Sequence, residues 1–312
     1  MLSKKICLVV CYFGSWPDSA DLFLKSCQYN SSVDFLLFSD CGSLPHAPDN
    51  VRVVPMSFAE MKQRTSEQLE MKVALDRPYK LCDFKTAYGT ILEDYLEEYD
   101  FWGCTDLDLV YGRIDDFITD DVLNQHDVIA ARPWYLTGFF FLFRNCERTN
   151  QLYEQSRDHE RVYQNDDHFS FIECNFAWQQ LRNGTSIFDA DTDIESMTEV
   201  IRREEQNGLQ VHFSEMARES VDWRPLLWNR DRLTEGGREW LLFHFVFHKD
   251  HWAFSLPNWK RVPDSYYISK FGLWNRDTPL TGPLRDIDWS GILQRGTKKT
   301  VERLVGNSNS AC

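Results

Sequence analysis

The sequence predicts an α/β protein built on a largely parallel sheet flanked by helices. Two observations predict it: the first 60 residues hold three apolar runs of strand length, and helical spacing separates the first two. KICLVVCY, Lys5–Tyr12, is apolar almost throughout, as a strand covered on both faces is. After the loop FGSWPDS, SADLFLKSCQYN spaces Leu22, Phe23 and Cys27 along a helix face. VDFLLFSD, Val33–Asp40, is the second strand, and VRVVPM, from Val51, a shorter third.

SFAEMKQRTSEQLEMKVAL is expected to be helical, with Ser57 as N-cap and Glu60 at capping-box spacing. DRPY, Asp76–Tyr79, interrupts the pattern. CDFKTAYGTILEDYLEEY resumes it with Ile91, Leu92, Tyr95 and Leu96 on one face, and leads into FWGCTDLDLVYG. DVIAARPWYLTGFFFLFRN, from Asp127, reads as two strands around a turn. Helical segments are expected from Glu147 and from Asp166. Beyond Gly208 the chain reads as loop-rich and aromatic, up to the apolar run WLLFHFVFHKDHW. No repeat or Gly-, Ser- or Pro-rich linker divides it. The expected organisation is one domain over residues 1–285, then a C-terminal helical extension, a basic amphipathic tail, over 286–312.

Of the 312 residues, 43% are hydrophobic, enough for a large core. The net charge of −14 argues against a nucleic-acid partner, because neutralising phosphates takes clustered Lys and Arg. The 11 Trp suit either an aromatic core or clefts for sugars and bases. Nine cysteines without a C-x-x-C pair fit free thiols in a reducing cytoplasm better than a zinc site or a disulfide framework. MLSKKICLVVCYF has the charged and apolar parts of a signal peptide, but the apolar run is short and lacks a small-residue cleavage site. No run reaches the roughly 18 apolar residues of a membrane-spanning helix. The expected location is the cytoplasm, with peripheral contact on the inner face of its membrane.

FWGCTDLDLVYG raises the functional question, since Asp106 and Asp108 follow an apolar strand. If the strand continues through them, both carboxylates project from one face, with Leu107 and Leu109 opposite. Two carboxylates so placed repel one another and resist burial. Mg²⁺ or Mn²⁺ removes that difficulty and keeps positions open for diphosphate oxygens. The alternative is an exposed loop whose aspartates cap a helix near Asp115.

FWGCTDLDLVYG resembles the D-x-D segment of GT-A type glycosyltransferases, which use nucleotide-sugar donors. PYKLCDFKTAYGTILEDYLEEYDFWGCTDLDLVYG and the later YLTGFFFLFRN are similar to a little-characterised family of bacterial glycosyltransferase-like proteins. The resemblance implies a GT-A fold, a divalent metal and sugar transfer. It places Asp40, ending FSD, at the base or ribose, and Tyr12 or Phe13 over the base; a turn and ordinary packing are the alternatives. Asp83 and Lys85 lie in the matching segment and are implied to face the donor; a Lys on this segment is implied to meet the phosphates or to hold an acidic partner, and solvated surface is the alternative for Lys80. Thr137 and Gly138 of LTGFFFLFRN fall against the donor sugar. In QNDDHFSF, Asp166 and Asp167 match the acidic segment near the anomeric carbon, with Asp166 also available as a helix N-cap.

FHFVFHKDHW resembles, loosely, the late H-x-x-G-x-x-K-P-W segment of retaining GT-A enzymes, whose His completes the metal site and whose Lys contacts the diphosphate. It lacks the Gly and the Pro and is one residue shorter between His and Lys. His244 with Lys249 is the implied pair, and His248 is the second choice. The segment leans towards a retaining reaction. The implied donor is a UDP-sugar, and the implied acceptor a saccharide or lipid-linked saccharide of capsule or lipopolysaccharide assembly. In the tail, Arg295, Lys298, Lys299 and Arg303 beside Ile292, Leu293, Val301, Leu304 and Val305 suit either an anionic membrane surface or a plain surface helix. Two other classes stay open. A sugar-nucleotide nucleotidyltransferase also pairs carboxylates, but FGSWPDS is not its Gly-rich basic loop; a non-catalytic carbohydrate-binding protein leaves the D-x-D unexplained.

Overall fold

The computed structural model describes residues 2–222, 224–277 and 282–308, and no side chains at 282 or over 300–308. Its first strands are β1 (Ile6–Cys11), β2 (Val33–Ser39), β3 (Val51–Pro55) and β4 (Phe101–Thr105). There follow β5 (Leu109–Tyr111), β6 (Val128–Ala130), β7 (Phe140–Arg144) and β8 (Val211–Phe213). Next come β9 (Ala217–Arg218), β10 (Leu226–Asn229), β11 (Arg232–Glu235) and β12 (Arg238–Trp240). The last three are β13 (Leu242–His244), β14 (Ser265–Ser269) and β15 (Gly272–Asn275). Packing divides the chain into two compact units. The first holds Met1–Trp16, Asn30–Leu107 and Ile114–Met216; the second holds Pro17–Tyr29, Asp108–Arg113 and Ala217–Cys312.

The first unit is a seven-stranded sheet in the order β3-β2-β1-β4-β7-β6-β8. Only β7 runs against its neighbours, antiparallel to β4 and β6; the other pairings are parallel. The α/β class and the mostly parallel central sheet flanked by helices are as the sequence predicts. Side chains alternate across a strand. Cys7 and Val9, Leu36 and Phe38, Trp102 and Cys104, Val128 and Ala130, and Phe141 and Phe143 therefore share one face. They pack beneath Met61, Phe84, Tyr88, Ile91, Tyr163, Val200 and Ile201 of the helical segments. Gly103 is required by the β4–β7 pairing: a Cβ there would lie 1.8 Å from the carbonyl oxygen of Phe141.

Three helical expectations change in this unit. The helix capped by Ser57 has the predicted capping box, with Ser57 Oγ accepting from Glu60 N and Glu60 Oε2 accepting from Ser57 N. It spans only Phe58–Gln68. Beyond it Glu70 takes φ +50°, and Ala74 N donates to Tyr163 O, so Val73 and Leu75 enter the core from a non-helical segment. CDFKTAYGTILEDYLEEY is a 3₁₀ run, Pro78–Ala87, followed by short turns Tyr88–Ile91 and Glu93–Leu96. A 3₁₀ helix eclipses residues i and i+3, which sets Lys80 over Asp83. No helix begins at Asp166; the next is Trp178–Arg182. Ser170, Asn175 and Phe176 take positive φ, and Phe169 and Phe171 give their backbone N–H groups to Asp83.

In the second unit β13 lies between β5 and β9, antiparallel to the first and parallel to the second. A five-stranded antiparallel sheet has the order β12-β11-β10-β14-β15. The chain beyond Gly208 is thus strand-rich and not loop-rich as expected. Its strands run only two to five residues, and β9, β10 and part of β14 alternate buried and half-exposed positions, so outside WLLFHFVF no long apolar run marks them. Trp228 stacks on Tyr266 at 4.8 Å, and its Nε1 donates to Tyr111 O at 2.8 Å. The helix Trp289–Ser308 provides the expected C-terminal helical extension. Ile292 is buried beside Ala253 and Ile287, while Leu293 is exposed and Arg295 approaches Asp288 at 3.7 Å. The side chains of Val301, Arg303, Leu304 and Val305, and Cys312 altogether, lie outside the described residues. The other eight cysteines are free. Among the described residues no helix is long and apolar enough to cross a membrane.

Gly103→Ala is expected to cost about 3 kcal/mol, the upper end of overpacking, whereas Ser57→Ala costs about 1 kcal/mol, the loss of an N-cap. Urea unfolding of both variants checks this. A harmless Gly103→Ala contradicts the β4–β7 register.

Candidate active site

Strand β4 ends at Thr105, so Asp106 and Asp108 do not continue it as the same-face argument assumed. Asp106 follows directly and is half-buried. Lys85 Nζ donates to Asp106 Oδ1 at 2.6 Å and to Gly138 O at 2.7 Å. Burial works against the Lys85 charge, but the Asp106 carboxylate outweighs it and holds the ammonium above its usual pKa. Gly138 N donates to Glu173 Oε1 at 3.1 Å. Thr137 is buried, and its hydroxyl donates to Phe140 O.

Lys80 and Asp83 have no exposed side-chain surface. Lys80 Nζ donates to Asp83 Oδ2 at 2.9 Å and to Asp167 O at 2.6 Å. The carboxylate of Asp83 also accepts from Phe169 N at 3.0 Å and Phe171 N at 2.9 Å, and it lies 3.2 Å from His168 Nδ1. Burial pushes the Asp83 pKa up; His168, Lys80 and the Phe169 N–H together hold it below the usual carboxylate value. Asp83 and Lys80 thus tie the 3₁₀ segment to the loop that carries Asp167. Neither reaches the surface. Asp167 itself is exposed, and Asp166 accepts from Asp76 N at 3.1 Å instead of capping a helix.

After β1, half-buried Tyr12 stacks on Trp16 with ring centroids 6.0 Å apart. Phe13 is buried against Phe58. Asp40, exposed after β2, accepts from Gly14 N at 2.8 Å, a turn in which Gly14 takes φ +109°. An open depression of about 480 Å³ elsewhere in this unit, lined by Trp134, Leu181, Phe188, Arg202 and Glu205, contains none of these residues.

In the second unit the register of β13 decides the arrangement. His244 pairs with Leu109, and Phe245 N donates to Asp108 O at 2.8 Å, so Asp108 comes beside His244. His244 Nε2 is 3.3 Å from Asp108 Oδ1, and Lys249 Nζ donates to Asp108 Oδ2 at 2.7 Å. Burial pushes the Asp108 pKa up, but His244 and Lys249 more than offset it and hold the carboxyl well below its usual value. Parallel pairing of β9 with β13 sets Arg218 opposite Phe243, and so brings Glu219 alongside His244. Its Oε1 is 3.6 Å from His244 Nδ1. Glu219 and Glu173 escaped the sequence analysis because neither stands in a motif; only strand register or a folded loop brings them in. His248 is a core residue, buried between Phe243 and Phe254, with its pKa lowered by burial.

The fold and these groups define an α/β protein whose second unit holds an Asp–His–Lys cluster and whose first unit pairs the neighbouring Asp106 with a buried lysine. A family model described as a family of unknown function (DUF6625) matches residues 8–269, and the chain belongs to that family. No curated protein matches the chain. Among solved structures it is similar to mouse xyloside xylosyltransferase 1 in its apo form, at 11% identity and a TM-score of 0.42, over 77% of this chain and 96% of that one.

Lys80→Met strands a buried carboxylate, and about 3–5 kcal/mol of stability is expected to go with the pair. The depressed pKa of Asp83 adds stability that is full above the unfolded value of about 3.9 and is lost as pH falls through the folded one. Asp83→Asn should therefore flatten the acid limb of a stability–pH curve measured by urea unfolding. An unchanged limb contradicts this account of Asp83.

Proposed function

We propose that the chain is a metal-dependent glycosyltransferase of GT-A type, moving a sugar from a nucleotide-sugar donor to a saccharide or lipid-linked saccharide. The observation that carries the reading is Asp108 held between His244 and Lys249. The residue types fit a divalent cation: Asp106 and Asp108 offer hard oxygen ligands and His244 an imidazole nitrogen, a set suited to Mn²⁺ or Mg²⁺. When bound, the cation supplies positive charge to the diphosphate that leaves the anomeric carbon. Lys249, half exposed, pairs with Asp108 in the free protein and is proposed to turn to a diphosphate oxygen when the donor binds. His244 is buried between strands, so its Nε2 is aimed with little freedom.

Lys85 has a different task. Its ammonium ties Asp106 to the carbonyl of Gly138, which fixes the backbone where the donor sugar is expected. Thr137 and Gly138 then present backbone and a small residue to that sugar. Tyr12 and Asp40 are proposed for the base and ribose, and Asp167 for the sugar hydroxyls, with Asp166 shaping its loop. Phe13 and Asp83 support these groups from within. A UDP-sugar is the proposed donor.

The test is thermal unfolding with UDP-, GDP-, CMP- and dTDP-sugars, with Mn²⁺ or with EDTA. A donor about 100-fold above its Kd stabilises by about 2.7 kcal/mol, a rise of roughly 5 °C in Tm for a chain of this size. The shift is expected with one donor class, and to vanish with EDTA and in Asp108→Ala. No donor-dependent shift, or an equal one in Asp108→Ala, contradicts the reading.

A further inference from the structure

We infer that Tyr79, His168, Phe176 and Trp178 form an aromatic platform on the first unit that binds a neutral saccharide. Tyr79 is 63% exposed and Phe176 50% exposed. His168 lies between them, 4.9 Å from the Tyr79 ring and 5.8 Å from that of Phe176, and Phe176 is 5.4 Å from Trp178. Single exposed rings are ordinary, but a contiguous row is the mark of a binding surface.

Backbone conformation is a second, independent observation. Asn175 takes φ +47° and Phe176 φ +66°. A bulky residue rarely adopts this left-handed region, and such strain gathers where ligands are held. Packing does not repay it, because half of Phe176 faces solvent. The row is nevertheless firmly anchored. Trp178 Nε1 donates to Glu173 Oε2 at 2.6 Å, Asn175 Nδ2 donates to Phe169 O at 2.8 Å, and Asp193 N donates to Asn175 Oδ1 at 2.7 Å. His168 stands on the buried Asp83.

The surroundings choose the ligand. Sugars lay their C–H faces on aromatic rings and give their hydroxyl protons to carboxylates. Asp167 offers an exposed carboxylate in the same loop. Among the described residues, Lys80 is engaged on Asp83, Arg77 on Asp166, and Arg161, which lies over Phe169, on Asp158. An exposed carboxylate beside paired cations favours neutral glycans over anionic ones. Glu173, which holds Trp178, also accepts from Gly138 N, so three hydrogen bonds in series join the platform to the Lys85–Asp106 pair. On the transferase reading, which this inference uses only for the ligand's role, the saccharide is the acceptor.

Binding is tested on a glycan microarray of neutral and acidic oligosaccharides, with EDTA and without donor, and bound glycans are titrated by ligand-observed NMR. The protein is expected to bind neutral glycans, at least tenfold more weakly in Tyr79→Ala and Phe176→Gly. Glycine relieves the left-handed backbone, so the Tm of Phe176→Gly is expected to hold or rise as binding is lost. Phe188→Ala, which removes an exposed ring outside the row, keeps full affinity. The inference is overturned by no glycan binding, by acidic glycans alone, by unchanged affinity in both variants, or by a Tm that falls with binding in Phe176→Gly. Metal-dependent donor binding is measured on the same samples. Its absence beside intact glycan binding sinks the transferase reading and spares the platform.

Discussion

Lysine–carboxylate pairing is the interaction on which this structure depends. Asp83 has Lys80, Asp106 has Lys85, and Asp108 has Lys249 together with His244. A buried carboxylate left alone costs several kcal/mol, so each acid needs a counter-charge before it can be placed near a core. The pairs differ in what they leave free. Lys80–Asp83 is sealed and structural, and Lys85–Asp106 also fixes a backbone carbonyl. Lys249–Asp108 has a half-exposed lysine, and is the pair from which, on the proposed reading, a cation takes over.

Secondary structure delivers these partners by simple geometry. The 3₁₀ run Pro78–Ala87 eclipses Lys80 and Asp83 and buries both. The β5–β13 ladder sets His244 opposite Leu109, one residue from Asp108. The β9–β13 ladder adds Glu219 on the other side. Close approach also dictates glycine at the end of β5, where a Cβ at Gly112 would come 2.4 Å from Trp240 O.

The long buried strands and the Ser57 capping box were legible because their signals are local: continuous apolar runs and a fixed spacing. His244 was legible only through a loose resemblance, and the register of β13 is what separates it from His248. The helix expected from Asp166 failed because the Asp83 carboxylate takes the backbone N–H groups of Phe169 and Phe171 out of helical use, a long-range demand that periodicity does not carry. The strands beyond Gly208 were hidden by their shortness. Glu173 and Glu219 carry no motif and become visible only once loop and ladder are folded.

The central claim is that Asp108 and His244 give up their contact with one another to share a cation. Anomalous diffraction from crystals grown with Mn²⁺ tests it most directly. The account predicts one peak about 2.1 Å from an Asp108 carboxylate oxygen, bonded also to His244 Nε2, with Lys249 displaced from Asp108. A fully occupied Mn²⁺ site elsewhere, with Lys249 still on Asp108, would contradict it.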